Sequence, residues 1–236
     1  MYFPPQKETL HRLILLISFL DCYMVASEGD PSDTCPPENV ISPCTCIKVC
    51  LWCNVVLKCS NILHQSELQG VFEKSKDWSF SHIYIDDSNF MYITSDEIVK
   101  KRMSNLYLKN NNMTSLFDEP PPLTNMLREI YLTNLSLRTG LSWGLFSSLH
   151  ELRILEVKNT VIPEIEQTFV RNFPQSVIWL FFSSTKTKQL SFDSFSRLTE
   201  LSRLHVQNTE IKEIQRSMFP TPSKLIDINF RYEIYL

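Results

Sequence analysis

Cysteine is where this sequence first offers chemistry. Of the seven cysteines, Cys22 stands alone, while Cys35, Cys44, Cys46, Cys50, Cys53 and Cys59 fall within 25 residues. The pairs Cys44-x-Cys46 and Cys50-x-x-Cys53 have the spacing of zinc ligands. An even, local cluster is equally what a disulfide framework needs. No histidine lies close enough to complete the usual zinc pattern, and zinc modules favour reducing compartments. Disulfides are therefore expected over the competing zinc reading, and no metal site is expected.

The five histidines, His11, His64, His82, His150 and His205, are scattered, and no two share the i, i+4 spacing of a helical pair. A triad assembles in space rather than in sequence. No residues here point to one, and a solvated or capping role suits each histidine. The four glycines, Gly29, Gly70, Gly140 and Gly144, do not have the close, fixed spacing of a phosphate-cradling loop. A net charge of −3 supplies no field that recruits nucleic acid or an anionic membrane. The chain is expected to be non-catalytic, without cofactor or nucleic-acid partner.

The N-terminus reads as a targeting segment. A polar stretch ends in His11-Arg12, and the run LILLISFLDCYMVA at 13–26 is apolar except for Asp21. Small residues Ala26 and Ser27 follow, so 1–27 is expected to be a secretory signal. Fourteen residues are too few for a membrane span, which needs roughly 20. A buried helix is the alternative. The rest of the chain has no apolar run of membrane length, so the mature protein is expected outside the cell.

The elements that must position any functional residue repeat. The template L-x-x-L-x-L-x-x-N fits at Met103, Leu106, Leu108 and Asn111, and again from Leu127, Leu152, Val177, Leu201 and Leu225. A weaker copy starts at Phe80, and the starts are 23, 24, 25, 25, 24 and 24 residues apart. Such a unit places a short strand on one side and an irregular or helical return on the other. One unit cannot bury its apolar positions alone, so neighbours stack and share a core. The expected fold is a curved α/β solenoid with a parallel sheet lining its concave face.

Residues between the leucines alternate to the opposite face of that sheet. The middle column reads Tyr84, Tyr107, Tyr131, Glu156, Phe181, His205, Asn229. One flank reads His82, Asn105, Glu129, Ile154, Trp179, Arg203, Asp227, and the other Asp86, Lys109, Thr133, Lys158, Ser183, Gln207, Arg231. Tyr84, Tyr107, Tyr131, Trp179, Phe181, Arg203 and His205 are the candidate binding residues, because rigid aromatics suit interfaces. Cross-strand stacking that only stabilises the sheet is the competing account of the tyrosines. Trp179 and Phe181 are expected to lie exposed together, which favours a partner.

The repeats resemble the leucine-rich repeat superfamily, in its extracellular class of roughly 24 residues. The stretch CPPENVISPCTC at 35–46, with KCSN ending at Asn61, is similar to a cysteine-rich N-terminal cap. That wording, and the endings KNTVIPEI and QNTEIKEI, are similar to secreted arthropod proteins named after the non-catalytic subunit of the oplophorus-luciferin 2-monooxygenase. The resemblance implies a leucine-rich repeat horseshoe, a cap at 35–61 and about seven repeats at 62–236, the last incomplete. It implies Cys35–Cys46 and Cys44–Cys59 bridges and a chain without activity of its own; Cys50 and Cys53 are extra to that pattern and are left as a third bridge. The family's inter-repeat asparagine survives only at Asn111. Ser88, Leu135, Thr160, Thr185 and Thr209 stand at the equivalent positions, so a weaker ladder is expected.

Asn112-Met113-Thr114 and Asn134-Leu135-Ser136 are glycan acceptors in a secreted chain. The copy from Leu225 supplies a strand without its return, and no C-terminal cysteine cap appears, so either a truncated form of a longer protein or association through this open end is expected. The functional expectation is an extracellular module that binds another macromolecule on its concave face. The alternatives are an accessory subunit of a separate enzyme chain and a fragment of a cell-surface receptor ectodomain.

Overall fold

The computed structural model describes residues 34–49, 54–162 and 164–231. The expected signal at 1–27 and the expected Cys50–Cys53 bridge lie outside the described residues. The strands His82–Asp86, Glu129–Thr133, Ile154–Lys158 and Trp179–Ser183 carry their buried side chains at the second and fourth positions, as alternation across a half-buried sheet demands. A nine-stranded sheet runs β1 (Thr45–Val49), β2 (Asn54–Ser60), β3 (His82–Asp86), β4 (Asn105–Lys109), β6 (Glu129–Thr133), β8 (Ile154–Lys158), β10 (Trp179–Ser183), β12 (Arg203–Gln207) and β13 (Asp227–Arg231). Only β1 and β2 pair antiparallel, and all later neighbours are parallel.

On the flank of this sheet, β5 (Asn112–Met113) pairs with β7 (Ser136–Leu137), and β9 (Glu164–Ile165) with β11 (Gln189–Leu190). Return segments carry α2 (Gln65–Lys74), α3 (Ser95–Lys100) and α4 (Gln167–Asn172), after a short α1 (Glu38–Ile41). The architecture is a mostly parallel sheet with few helices, stacked in the manner of a solenoid. Each parallel crossover needs a long connection, which the returns provide.

The core is one continuous cluster. Ile83 and Ile85, Leu106 and Leu108, Ile130 and Leu132, Leu155 and Val157, Leu180 and Phe182, and Leu204 and Val206 point inward and are buried. The returns meet them with Phe146, Leu149 and Leu152 in one coil and Phe195, Leu198 and Leu201 in another. Trp143 closes the middle, with Phe169, Phe146, Phe173 and Phe182 between 4.8 and 6.2 Å from its ring.

Each coil leaves the sheet through one left-handed residue. Asn61, Asp87, Asn110, Asn134, Asn159, Ser184 and Asn208 follow their strands with φ between 49° and 56°. Asn and Asp tolerate this region because their short polar side chains bond locally. Asn134 Nδ2 donates to Asn110 Oδ1 and Asn110 Nδ2 to Asp87 Oδ1, both at 2.8 Å.

The N-terminal end is a cross-linked hairpin. Cys35–Cys46 and Cys44–Cys59 are bridged, with Cα separations of 5.6 and 4.2 Å. β2 then joins the parallel sheet with Lys58 opposite Tyr84. Non-reducing peptide mapping is expected to recover Cys35 linked to Cys46 and Cys44 linked to Cys59. Free thiols at these four positions, or stoichiometric zinc, would overturn that pairing.

Candidate binding surface

The pairing register coincides with the columns laid out from the sequence. Tyr84, Tyr107, Tyr131, Glu156, Phe181, His205 and Asn229 are successive partners down the middle of the sheet. Because their neighbours in each strand fill the core, these side chains stand on the opposite, open face. The first three form a stack, with ring centroids 4.1 and 4.7 Å apart and planes within 3°. His82 continues it, 6.4 Å from Tyr107, and Lys58 Nζ lies 5.7 Å from the Tyr84 ring centroid.

Burial pushes the pKa of Tyr107 up to about 12. Tyr131 is raised first by burial and then by the 2.9 Å bond its hydroxyl donates to Glu129. Burial lowers His82, whose Nδ1 is 3.0 Å from Ser81 Oγ. That hydroxyl also reaches Val55 O and Asn54 Oδ1, so it is a structural tie between strands. His64 and His150 are exposed, far along the chain from each other.

The second half of the face differs from expectation. Trp179 and Phe181 stand on it, but each is half-buried under a cation rather than exposed. The Arg203 guanidinium lies 5.6 Å from the Trp179 ring centroid, and Lys158 Nζ 4.9 Å from that of Phe181. Long cationic side chains lie along apolar surface and keep their charge in water. Lys158 Nζ is held by Glu156 Oε1 at 2.6 Å, while His205 lies 5.7 Å from Phe181 and 2.8 Å from Asp227 Oδ2. Trp179 Nε1 is shielded from solvent and has no hydrogen-bond partner among the described residues.

Asn112 and Asn134 are both exposed, on the flank beyond the ends of β4 and β6. Among the described residues there is no grouping of three or more His, Cys, Asp or Glu side chains that could hold a metal ion. No helix among them is long and apolar enough to cross a membrane.

One residue escaped the sequence reading altogether. Lys101 is 1% exposed, and its Nζ donates to the carbonyl of Ser75 at the end of α2. It also lies 5.8 Å from the Phe80 ring centroid, and burial pulls its pKa down to about 8. A lysine just past a helix of another unit carries no periodic signal by which to find it. No protein-family model matches the chain, and no curated protein matches it.

Proposed function

We propose that this chain is a secreted, non-catalytic leucine-rich repeat module that binds another protein or extracellular macromolecule on the concave face of its sheet. Within that class we read it as similar to the secreted arthropod proteins named after the non-catalytic luciferin-monooxygenase subunit, on the cap and repeat-ending residues quoted above. The observation that carries the binding reading is the open sheet face. Aromatic rings run along it in one column, and Trp179 keeps an unpartnered indole N–H there. Buried donors are normally satisfied, so a partner that supplies an acceptor there gains a hydrogen bond. The two disulfides suit an oxidising compartment.

The test uses the chain as bait in extracellular fluid and then the captured partner. Replacing Trp179 and Phe181 together by serine is expected to leave the fold intact, because neither enters the core. Affinity for the partner is expected to fall by about 2 kcal/mol, roughly 30-fold. A double variant that folds and binds as the parent does would overturn the concave-face reading.

A further inference from the structure

We propose that the outer edge of β13 is a homodimer interface, in which a second copy of this chain pairs antiparallel about a two-fold axis through Asn229. Three features of the strand Asp227-Ile228-Asn229-Phe230-Arg231 lead there.

The first is the free backbone. β13 pairs with β12 on one side, and among the described residues no strand pairs with its other side. Asp227 N–H donates to Ser202 O, and Arg231 O accepts from Asn208 N–H. In a parallel strand, alternate residues turn both backbone groups to the same neighbour. Asp227, Asn229 and Arg231 therefore face β12, and Ile228 and Phe230 present their N–H and C=O groups outward. Such an edge is a template for another strand.

The second is apolar cover. Ile228 is 51% exposed, on the side of the strand that faces the core in earlier units, and Ile226 just before the strand is 79% exposed. Phe230 is half-buried, 6.4 Å from Phe219.

The third is self-complementarity, which selects both the occupant and the register. With Asn229 opposite Asn229 of the second copy, Ile228 falls opposite Phe230 and Phe230 opposite Ile228. These pairs use the four outward-turned backbone groups of each strand, and they close the apolar end. Asp227 falls opposite Arg231, and Arg231 opposite Asp227, on the open face. Those are non-hydrogen-bonded pairs, where side chains come closest. Shifting by two residues either way puts Asp227 or Arg231 opposite Asn229 and loses both ion pairs. The same patch on both copies is what a two-fold interface requires. The dimer would join the two sheets edge to edge and place both open faces on one side.

The experiment is light scattering and sedimentation velocity on the full chain from a secretory host, with a charge swap. The parent is expected at twice the monomer mass at micromolar concentration. Asp227→Arg and Arg231→Asp each put like charges opposite, and each is expected to weaken dimerisation at least tenfold. The double variant, Asp227→Arg with Arg231→Asp, is expected to restore it. Asn229→Cys tests the register separately, since it is expected to trap a covalent dimer on a non-reducing gel where the parent gives none. A monomeric parent at 100 µM, a dimer indifferent to charge reversal, or a double variant that stays monomeric while folded would each overturn the proposal.

Discussion

Replacing Lys101 by methionine is expected to stabilise the protein by about 2–3 kcal/mol at pH 7, and the gain is expected to shrink to under about 1 kcal/mol at pH 10. The ammonium sits in the core between the end of α2 and Phe80. Burial is the main cause of its depressed pKa, and Glu97 and Asp77 compensate only in part. The sign follows from proton counting. A lysine that falls from 10.5 to about 8 on folding binds fewer protons in the native state than in the unfolded state between those values. Stability therefore climbs as pH rises through that window, and below it the full penalty remains, about 3 kcal/mol at 1.36 kcal/mol per unit. Methionine fills nearly the same volume without the charge. Ser75 O still accepts from Trp78 N–H after the change, so no carbonyl is stranded. Urea midpoints of parent and variant at pH 7 and pH 10 decide it. A variant less stable than its parent at pH 7 would show that the bond to Ser75 and the Phe80 face outweigh desolvation.

The same residue shows what a sequence of this kind reveals and what it hides. The strands were legible because two periodicities agree. Alternation within a strand assigns Leu106 and Leu108 to the core and Tyr107 to the open face, and a spacing of 23 to 25 residues sets the next strand beside it. Register then follows, since a slip of one residue would invert every face. Lys101 and Trp143 obey neither period strongly. Trp143 is buried because four phenylalanines, three of them from later units, converge on it. The left-handed residues did leave a trace, an Asn, Asp or Ser directly after each of β2, β3, β4, β6, β8, β10 and β12. It lies one place before the position that Asn111 holds in its unit. The covering of Trp179 and Phe181 was hidden for another reason. Which long side chain folds across which ring depends on rotamers, and Arg203 and Lys158 belong to neighbouring strands.

Asn111→Ala is the other large effect, with an expected loss of about 2–3 kcal/mol. At two of the equivalent positions, Ser88 and Thr160, a hydroxyl reaches back with one bond only. Ser88 Oγ accepts from Ile62 N–H and spends its proton on Asp86 O in its own coil. Thr160 Oγ1 accepts from Leu135 N–H and donates to Lys158 O in the same way. Asn111 has an amide and spans two bonds to the preceding coil. Its Oδ1 accepts from Ser88 N–H at 2.9 Å, and its Nδ2 donates to Ile85 O at 2.7 Å. Both ends are buried, so water cannot replace the side chain. Alanine strands the Ser88 N–H, for which Asn111 is the sole acceptor among the described residues, and leaves a gap between coils. Thr160→Val is the internal comparison. It strands only Leu135 N–H and keeps the volume, so about 1–2 kcal/mol is expected. Because each unit leans on the one before it, the Asn111 change is also expected to raise amide exchange across β3 and β4 more than in β12. Equal costs for the two variants would mean that the amide's second bond contributes nothing. An Asn111→Ala protein as stable as the parent would mean that the coils are held by core packing alone.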